Sequence, residues 1–340
     1  MNGNNMESLL PCVFTGESFN HSNKVSKLGF SISCYQGDLP LLRGCLSSIR
    51  YFAPDAPICL IADGNFCTRS FERNYGVQVI RKEDVKIAGL RNHSFGMGLT
   101  KMIAFWEAPF DTIFHIDADA VLWGDPRKNL PEGNWDVVYN EPHEEITDFI
   151  QKTQYFDPSR IFDHINSFPW EGNPYFQAGV VCIKRNVLDL DEYLRMLEGQ
   201  RKHPDIFING DQGMLNILVF RALHSGKLKT TSAHLQSVIP VLENEDLEKR
   251  FQIIEGFPVV EQATILHWAG PKPWRENKEI FRKPMDFFRA RGFRECGLSK
   301  MIPVEIAMAM EEFRLREWPK GVSDFKIFLK TNIRQFSKRM

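Results

Sequence analysis

The sequence predicts an α/β protein with a Rossmann-like, mostly parallel central sheet flanked by helices. Three observations carry that expectation. Between Leu28 and Ile80, short apolar runs alternate with a helical run, the rhythm of strand, crossover helix and strand. A further apolar run, Thr112–Ile116, ends in the paired acid Asp117-Ala118-Asp119. The composition, 43% hydrophobic and 25% charged over 340 residues, suits a chain long enough to bury a sizeable core.

Taken in order, residues 1–26 are rich in Asn and Ser without periodicity and read as a loose arm. From Leu28 to Tyr35, Phe30, Ile32 and Cys34 alternate with Ser31 and Ser33, which predicts the first strand. After the turn Gln36-Gly37-Asp38, the positions Leu39, Leu42, Leu46 and Ile49 recur at helical spacing until Pro54 and Pro57 stop the helix. Ile58–Ala62, closed by Asp63-Gly64, and Val77–Ile80 supply two more strands. In parallel sheets ligands bind beyond the carboxyl ends of the strands. Tyr35 and Asp63 sit at two such ends, as turn residues or ligand contacts.

Leu99, Met102, Ile103 and Trp106 make one apolar helical face, and Lys101 lies off it in the first turn. Read alone, that lysine is solvated; at a helix start it can also hold phosphate. Asp136–Tyr139 predicts another strand, and residues 142–174 an irregular stretch of the kind that forms binding loops. Tyr175–Gly179 is a small-residue turn entering a strand that ends at Ile183. A helix with Leu190, Tyr193, Leu194 and Leu197 on one face follows. Asp211 is placed to cap the helix carrying Met214, Ile217 and Leu218. Thr264–Leu266 is a strand that runs into His267-Trp268-Ala269-Gly270-Pro271-Lys272-Pro273-Trp274, a loop stiffened by two prolines.

Side chains two apart on extended backbone share a face, so Asp117 and Asp119 point the same way if the strand persists to its tip. Such a pair fits either turn acids or a site for a hard cation such as Mg, Mn or Ca. Lys plus Arg (42) nearly balance Asp plus Glu (43), so no global field favours nucleic acid, and an anionic ligand needs a local site. Seven cysteines without CxxC spacing argue for reduced thiols and against a zinc site. The start of the chain lacks the features of a signal peptide, and no 18-residue apolar run is present. Together these lead to the expectation of a cytoplasmic protein.

The motifs HIDADAV after a strand, LTKM shortly before it, then FQAGVV, GDQGMLN and HWAGPKPW resemble, in order, the landmarks of retaining GT-A-fold glycosyltransferases. That family includes glycogenin, plant galactinol synthases and bacterial lipopolysaccharide glucosyl- and galactosyltransferases. The match spans about residues 27–275. It implies a GT-A domain over 27–299, with a helical C-terminal extension over 300–340. By the resemblance, Asp117, Asp119 and His267 hold a divalent cation, Mn2+ or Mg2+. Tyr35, Asp63, Lys101, Asp117, Ala118, Gln177, Gly270 and Lys272 face a UDP-sugar donor, and Asp211 and Gln212 stand beside the sugar as catalytic groups. The implied reaction moves glucose or galactose to a carbohydrate, lipid-linked or small-molecule acceptor.

The closing loop is one residue shorter than the family's HxxGxxKPW, Gln177 stands where Asn is usual, and CYQGD departs from the usual nucleotide-binding tip. A haloacid-dehalogenase-like phosphatase also places DxDxV after a strand, and a non-catalytic nucleotide-sugar binder would keep the same ligands. In the tail, Lys326, Lys330, Arg334, Lys338 and Arg339 interleave with Phe325, Ile327, Phe328, Leu329, Ile333 and Phe336. Such a segment either lies peripherally on an anionic membrane or packs on the domain.

Overall fold

The computed structural model describes residues 26–317 except Met97, 143–145, 162–171, 240–243 and 298–301. The arm expected before residue 26 and the basic tail expected from 321 onward lie outside the described residues. Ser26 itself opens the first strand, one residue inside the predicted arm.

Seven strands form the main sheet: β1 (Ser26–Tyr35), β2 (Ile58–Asp63), β3 (Val77–Ile80), β4 (Phe110–Ile116), β6 (Val137–Asn140), β7 (Val180–Lys184) and β8 (Thr230–Ala233). Their order is β3-β2-β1-β4-β7-β6-β8. All pairings are parallel except those of β7, which runs antiparallel to both β4 and β6. The reversal has a simple cause. The chain leaves β6 at its carboxyl end and re-enters β7 from that same end, with no crossover back to the other edge. The architecture is the Rossmann-like, mostly parallel sheet expected, a parallel half followed by a mixed one.

Alternation along the strands feeds two cores. Leu60 of β2 joins Phe30, Ile32, Leu42, Leu46 and Ile49 on one side of the sheet. Cys59 and Ile61 join Met102, Ile103, Trp106, Tyr193, Leu197, Met214 and Ile217 on the other. The Leu39–Phe52 helix covers the first side and ends before Pro54, as its spacing predicts. The helix expected across 99–106 is instead a 3-10 turn, Leu99–Ile103, followed by one α-turn, Ala104–Glu107. Residues 148–161, expected to be irregular, form short helical turns that bury Tyr155, Phe156 and Ile161.

A second sheet was not legible in the sequence. In it β12 (Thr264–Trp268) lies between β5 (Ala120–Trp123) and β9 (Gln236–Ile239). β5 starts immediately after the acid pair, and its antiparallel register sets Ala120 opposite His267. The backbone of Trp268 donates to the carbonyl of Asp119 (3.2 Å). This pairing brings residues 119 and 267 together across nearly 150 positions of chain. A small hairpin of β10 (Ile253–Ile254) and β11 (Phe257–Pro258) lies between β9 and β12 in the chain.

The described part of the C-terminal extension, the Val304–Glu312 helix, docks through charge. Arg289 is fully buried and bonds Glu312, while Arg43 reaches Glu311 at 2.7 Å. A guanidinium without water requires such partners. The backbone N–H of Arg275 also donates to Glu312 (3.3 Å), tying the end of the His267–Trp274 loop to this helix.

Candidate active site

The site is built where β4 stops. The strand ends at Ile116, and the chain turns through Asp117-Ala118-Asp119, with Ala120 N–H donating to the Asp117 carbonyl at 3.2 Å. The two acids therefore stand in a turn, not on extended backbone, yet still face one cation-sized space. His267 Nε2 lies 3.6 Å from Asp117 Oδ2 and 3.5 Å from Asp119 Oδ1. Ligand atoms of the three residues lie within 4.8 Å of one another.

The Asp117 half is closed by charge. Lys101 Nζ sits 2.8 Å from Asp117 Oδ1 and 2.9 Å from Asp211 Oδ2. The solvated lysine of the sequence reading is thus buried, because two carboxylates from distant segments neutralise it. His115, fully buried, donates from Nε2 to Asp117 Oδ1 (3.3 Å) and accepts at Nδ1 from the Ser31 hydroxyl (3.2 Å). Burial pushes the Asp117 carboxyl up, but Lys101 foremost, with His115 and His267, holds it well below the usual carboxylate range. Burial opposes the charge of Lys101 as well; Asp117 and Asp211 overcome it and raise the ammonium above its ordinary value. Asp211 is pushed up by burial, against the pull of Lys101.

Asp211 does not cap its helix as the sequence predicts. Gly210 occupies the N-cap position, Asp211 is the first helical residue, and its carboxylate turns to Lys101. Gly98 makes the approach: at φ +79°, an added Cβ would lie 2.3 Å from Asp211 Oδ1. Asp63, expected at the nucleotide, accepts from Gly96 N–H (2.9 Å) and the Thr100 hydroxyl (2.6 Å), which fixes the segment that delivers Lys101.

The Asp119 half is open by comparison. Burial raises this carboxyl too, and the neighbouring His267 together with Lys272 brings it below its ordinary value. Lys272 Nζ bonds Asp119 Oδ2 and donates to the Trp268 carbonyl (2.9 Å). Asp119 Oδ1, buried, has no hydrogen-bond partner among the described residues. Asp38, a turn residue in the sequence reading, lies within reach of this charge. Burial first, then Asp119, pushes its carboxyl up to about 7, with Lys272 opposing.

The remaining residues expected at the site divide. Ala118 is buried in the acid turn. Gln212 spends both ends of its amide on backbone, accepting from Ala178 N–H (3.4 Å) and donating to the Gln154 carbonyl (3.1 Å). Gln177 Oε1 accepts from Gln236 Nε2 (3.3 Å). Tyr35 stands exposed at the end of β1, and Gly270 is exposed in the loop before Lys272. Two contributors had no local signal. Gln236 Oε1 accepts a hydrogen bond from His267 Nδ1 (2.8 Å). Gly179 leaves room for the cage, since a Cβ there would lie 2.2 Å from His267 Cε1 and 2.8 Å from Asp117 Oδ2.

These residues fit a divalent cation. The donor set is two carboxylates and one imidazole, which suits Mn or Mg better than a soft metal. Among the described residues, one carboxylate oxygen buried in this site lacks a partner, and four acids (Asp38, Asp117, Asp119, Asp211) face two ammonium groups.

No family's sequence model matches the chain, and no curated protein matches it in sequence. Solved structures do align with it. A galactosyltransferase, LgtC, in complex with donor and acceptor sugar analogs aligns at 16% identity and TM-score 0.47, covering 82% of this chain and 98% of that one. The glycosyltransferase GlyE of Streptococcus pneumoniae TIGR4 aligns at 15% identity and TM-score 0.46, over 84% of this chain and 63% of its own. The bifunctional WbbM aligns at 14% and 0.48, over 86% of this chain and 53% of its own. At these values, function rests on the site itself. No described helix is long and apolar enough to cross a membrane.

Proposed function

We propose that the protein is a divalent-cation-dependent glycosyltransferase that moves a hexose, glucose or galactose, from a UDP-sugar to an acceptor with retention of configuration. The observation that carries the reading is the convergence of Asp117, Asp119 and His267 beside two lysines at the carboxyl edge of the parallel strands. The order of the five motifs supports the donor class.

Asp117, Asp119 and His267 would hold the cation, Mn2+ or Mg2+, which when bound neutralises the diphosphate as the sugar–phosphate bond breaks. The chain's own residues do the rest. Lys272, on its stiff loop, supplies a positive charge for the departing diphosphate. Asp211, held by Lys101 at the start of its helix, places negative charge where the sugar becomes cationic. Gln212 fixes Ala178 and the 154 segment around that space. The acceptor is carbohydrate, lipid-linked or a small molecule.

The test is to incubate the protein with UDP-glucose or UDP-galactose and Mn2+ and to measure released UDP, with the product anomer read by NMR. Release that depends on metal and is lost in Asp119→Ala supports the proposal. Phosphate release from a monoester without UDP-sugar turnover would contradict it, as would binding of UDP-sugar with no turnover in the presence of any acceptor.

A further inference from the structure

The three groups facing the cation space come with unequal support. Asp117 is held by Lys101 and His115, and Asp119 by Lys272. The imidazole has a separate anchor. Gln236 lies on β9, the parallel neighbour of β12, two residues off register from His267. Its backbone is fixed: Asn140 Oδ1, at the tip of β6, accepts from the N–H groups of both Leu235 and Gln236 at 2.9 Å. Its side chain is buried, with Oε1 at 2.8 Å from His267 Nδ1 and Nε2 at 3.3 Å from Gln177 Oε1.

An amide oxygen only accepts, so Nδ1 must carry the proton and the lone pair of the neutral ring lies on Nε2. Nε2 is the atom that faces Asp117 and Asp119. The same orientation of Gln236 sets its amide nitrogen against the Gln177 oxygen.

We infer that Gln236 is the positioning residue of the cation site, setting the tautomer and ring plane of His267 through the chain Gln177–Gln236–His267. The inference rests on the cation-site reading above and adds a residue that touches neither cation nor substrate. It also gives Gln177 a role through Gln236, whatever its contact with the donor. Partners of this kind that orient a metal-ligating imidazole change metal affinity by about 10- to 100-fold when removed.

The test titrates metal-stripped protein with Mn2+, following free Mn2+ by electron paramagnetic resonance, for the wild type, Gln236→Leu and Gln236→Glu. Leucine fills similar space without an acceptor, whereas glutamate restores one at the same reach. The expected result is Mn2+ affinity about 10- to 100-fold weaker in Gln236→Leu and recovered in Gln236→Glu, with both variants folded by circular dichroism. Equal affinity in wild type and Gln236→Leu would overturn the inference while leaving the cation site standing. So would equal weakening in both folded variants, which would mean that Gln236 acts by packing alone. Failure of the wild type to bind Mn2+ would remove the cation site, and the inference with it. If Gln236→Leu does not fold, nitrogen-15 NMR of metal-free wild type decides. A His267 proton on Nδ1 agrees; a proton on Nε2 overturns the assignment.

Discussion

The two carboxylates of the DxD turn stand two residues apart and are held in opposite ways. Asp117 is saturated: Lys101, His115 and the backbone N–H bond to the Gly179 carbonyl (2.9 Å) lock it, and its lysine is locked again by Asp211. Asp119 is partnered by one half-exposed lysine from a loop and keeps a buried oxygen without a hydrogen bond among the described residues. The difference teaches how a fold prepares for a cation. One side is made rigid by charge that never leaves. The other is left with capacity that only an incoming positive group completes.

The largest effect that could break this comparison is at Asp119 itself. Asp119→Ala should lower metal-dependent UDP-sugar turnover by about 10³-fold or more, since a bound cation contributes several kcal/mol of charge stabilisation. The fold should survive, because the residue lies in a turn; full activity would mean that the open half is not the working half.

On the closed half, Lys101→Met should cost stability. It strands Asp211, which is buried, and Asp117, which is partly buried, and removing one member of a buried ion set costs about 3–5 kcal/mol. Thermal melts of metal-free protein measure it, and an unchanged melting temperature would show that Asp117 is not locked by that lysine.

Asp38 gives a pH-dependent check in metal-free protein. Its carboxyl is pushed up to about 7, so the folded state holds the proton more tightly than the unfolded chain. Stability from this group is therefore full below the ordinary carboxylate value and is lost as pH rises through about 7. Asp38→Asn should melt higher than wild type at pH 8, by a margin worth a few kcal/mol, and the margin should vanish towards pH 4. A margin constant with pH would refute the charge crowding around Asp119.

The smallest effect expected is at Lys272, whose ammonium competes with any cation for Asp119. Lys272→Met should tighten binding of Mn2+ alone by about tenfold, the worth of one charge-assisted hydrogen bond, and weaken UDP binding. Calorimetry of each ligand separately checks both directions.

The legible and illegible parts of the site follow the same division. Strand alternation and the acid pair mark where β4 ends, and the proline-stiffened loop marks His267 and Lys272, because these signals are local. Lys101 is misread by local pattern: off the apolar face of its own turn, it is buried only by acids 16 and 110 residues further on. Gln236 and Gly179 carry no local signal, since their meaning comes from β12 lying between β5 and β9 and from the turn packed against it. The docking of the Val304–Glu312 helix was hidden for the same reason, Glu311 and Glu312 being explained by the distant Arg43 and Arg289.

The central claim is the cage itself, and crystals soaked with Mn2+ and UDP test it most directly. Anomalous scattering at the manganese edge should show one peak within coordination distance of Asp117, Asp119 and His267 Nε2. A peak elsewhere, or none while UDP is bound, would contradict the account.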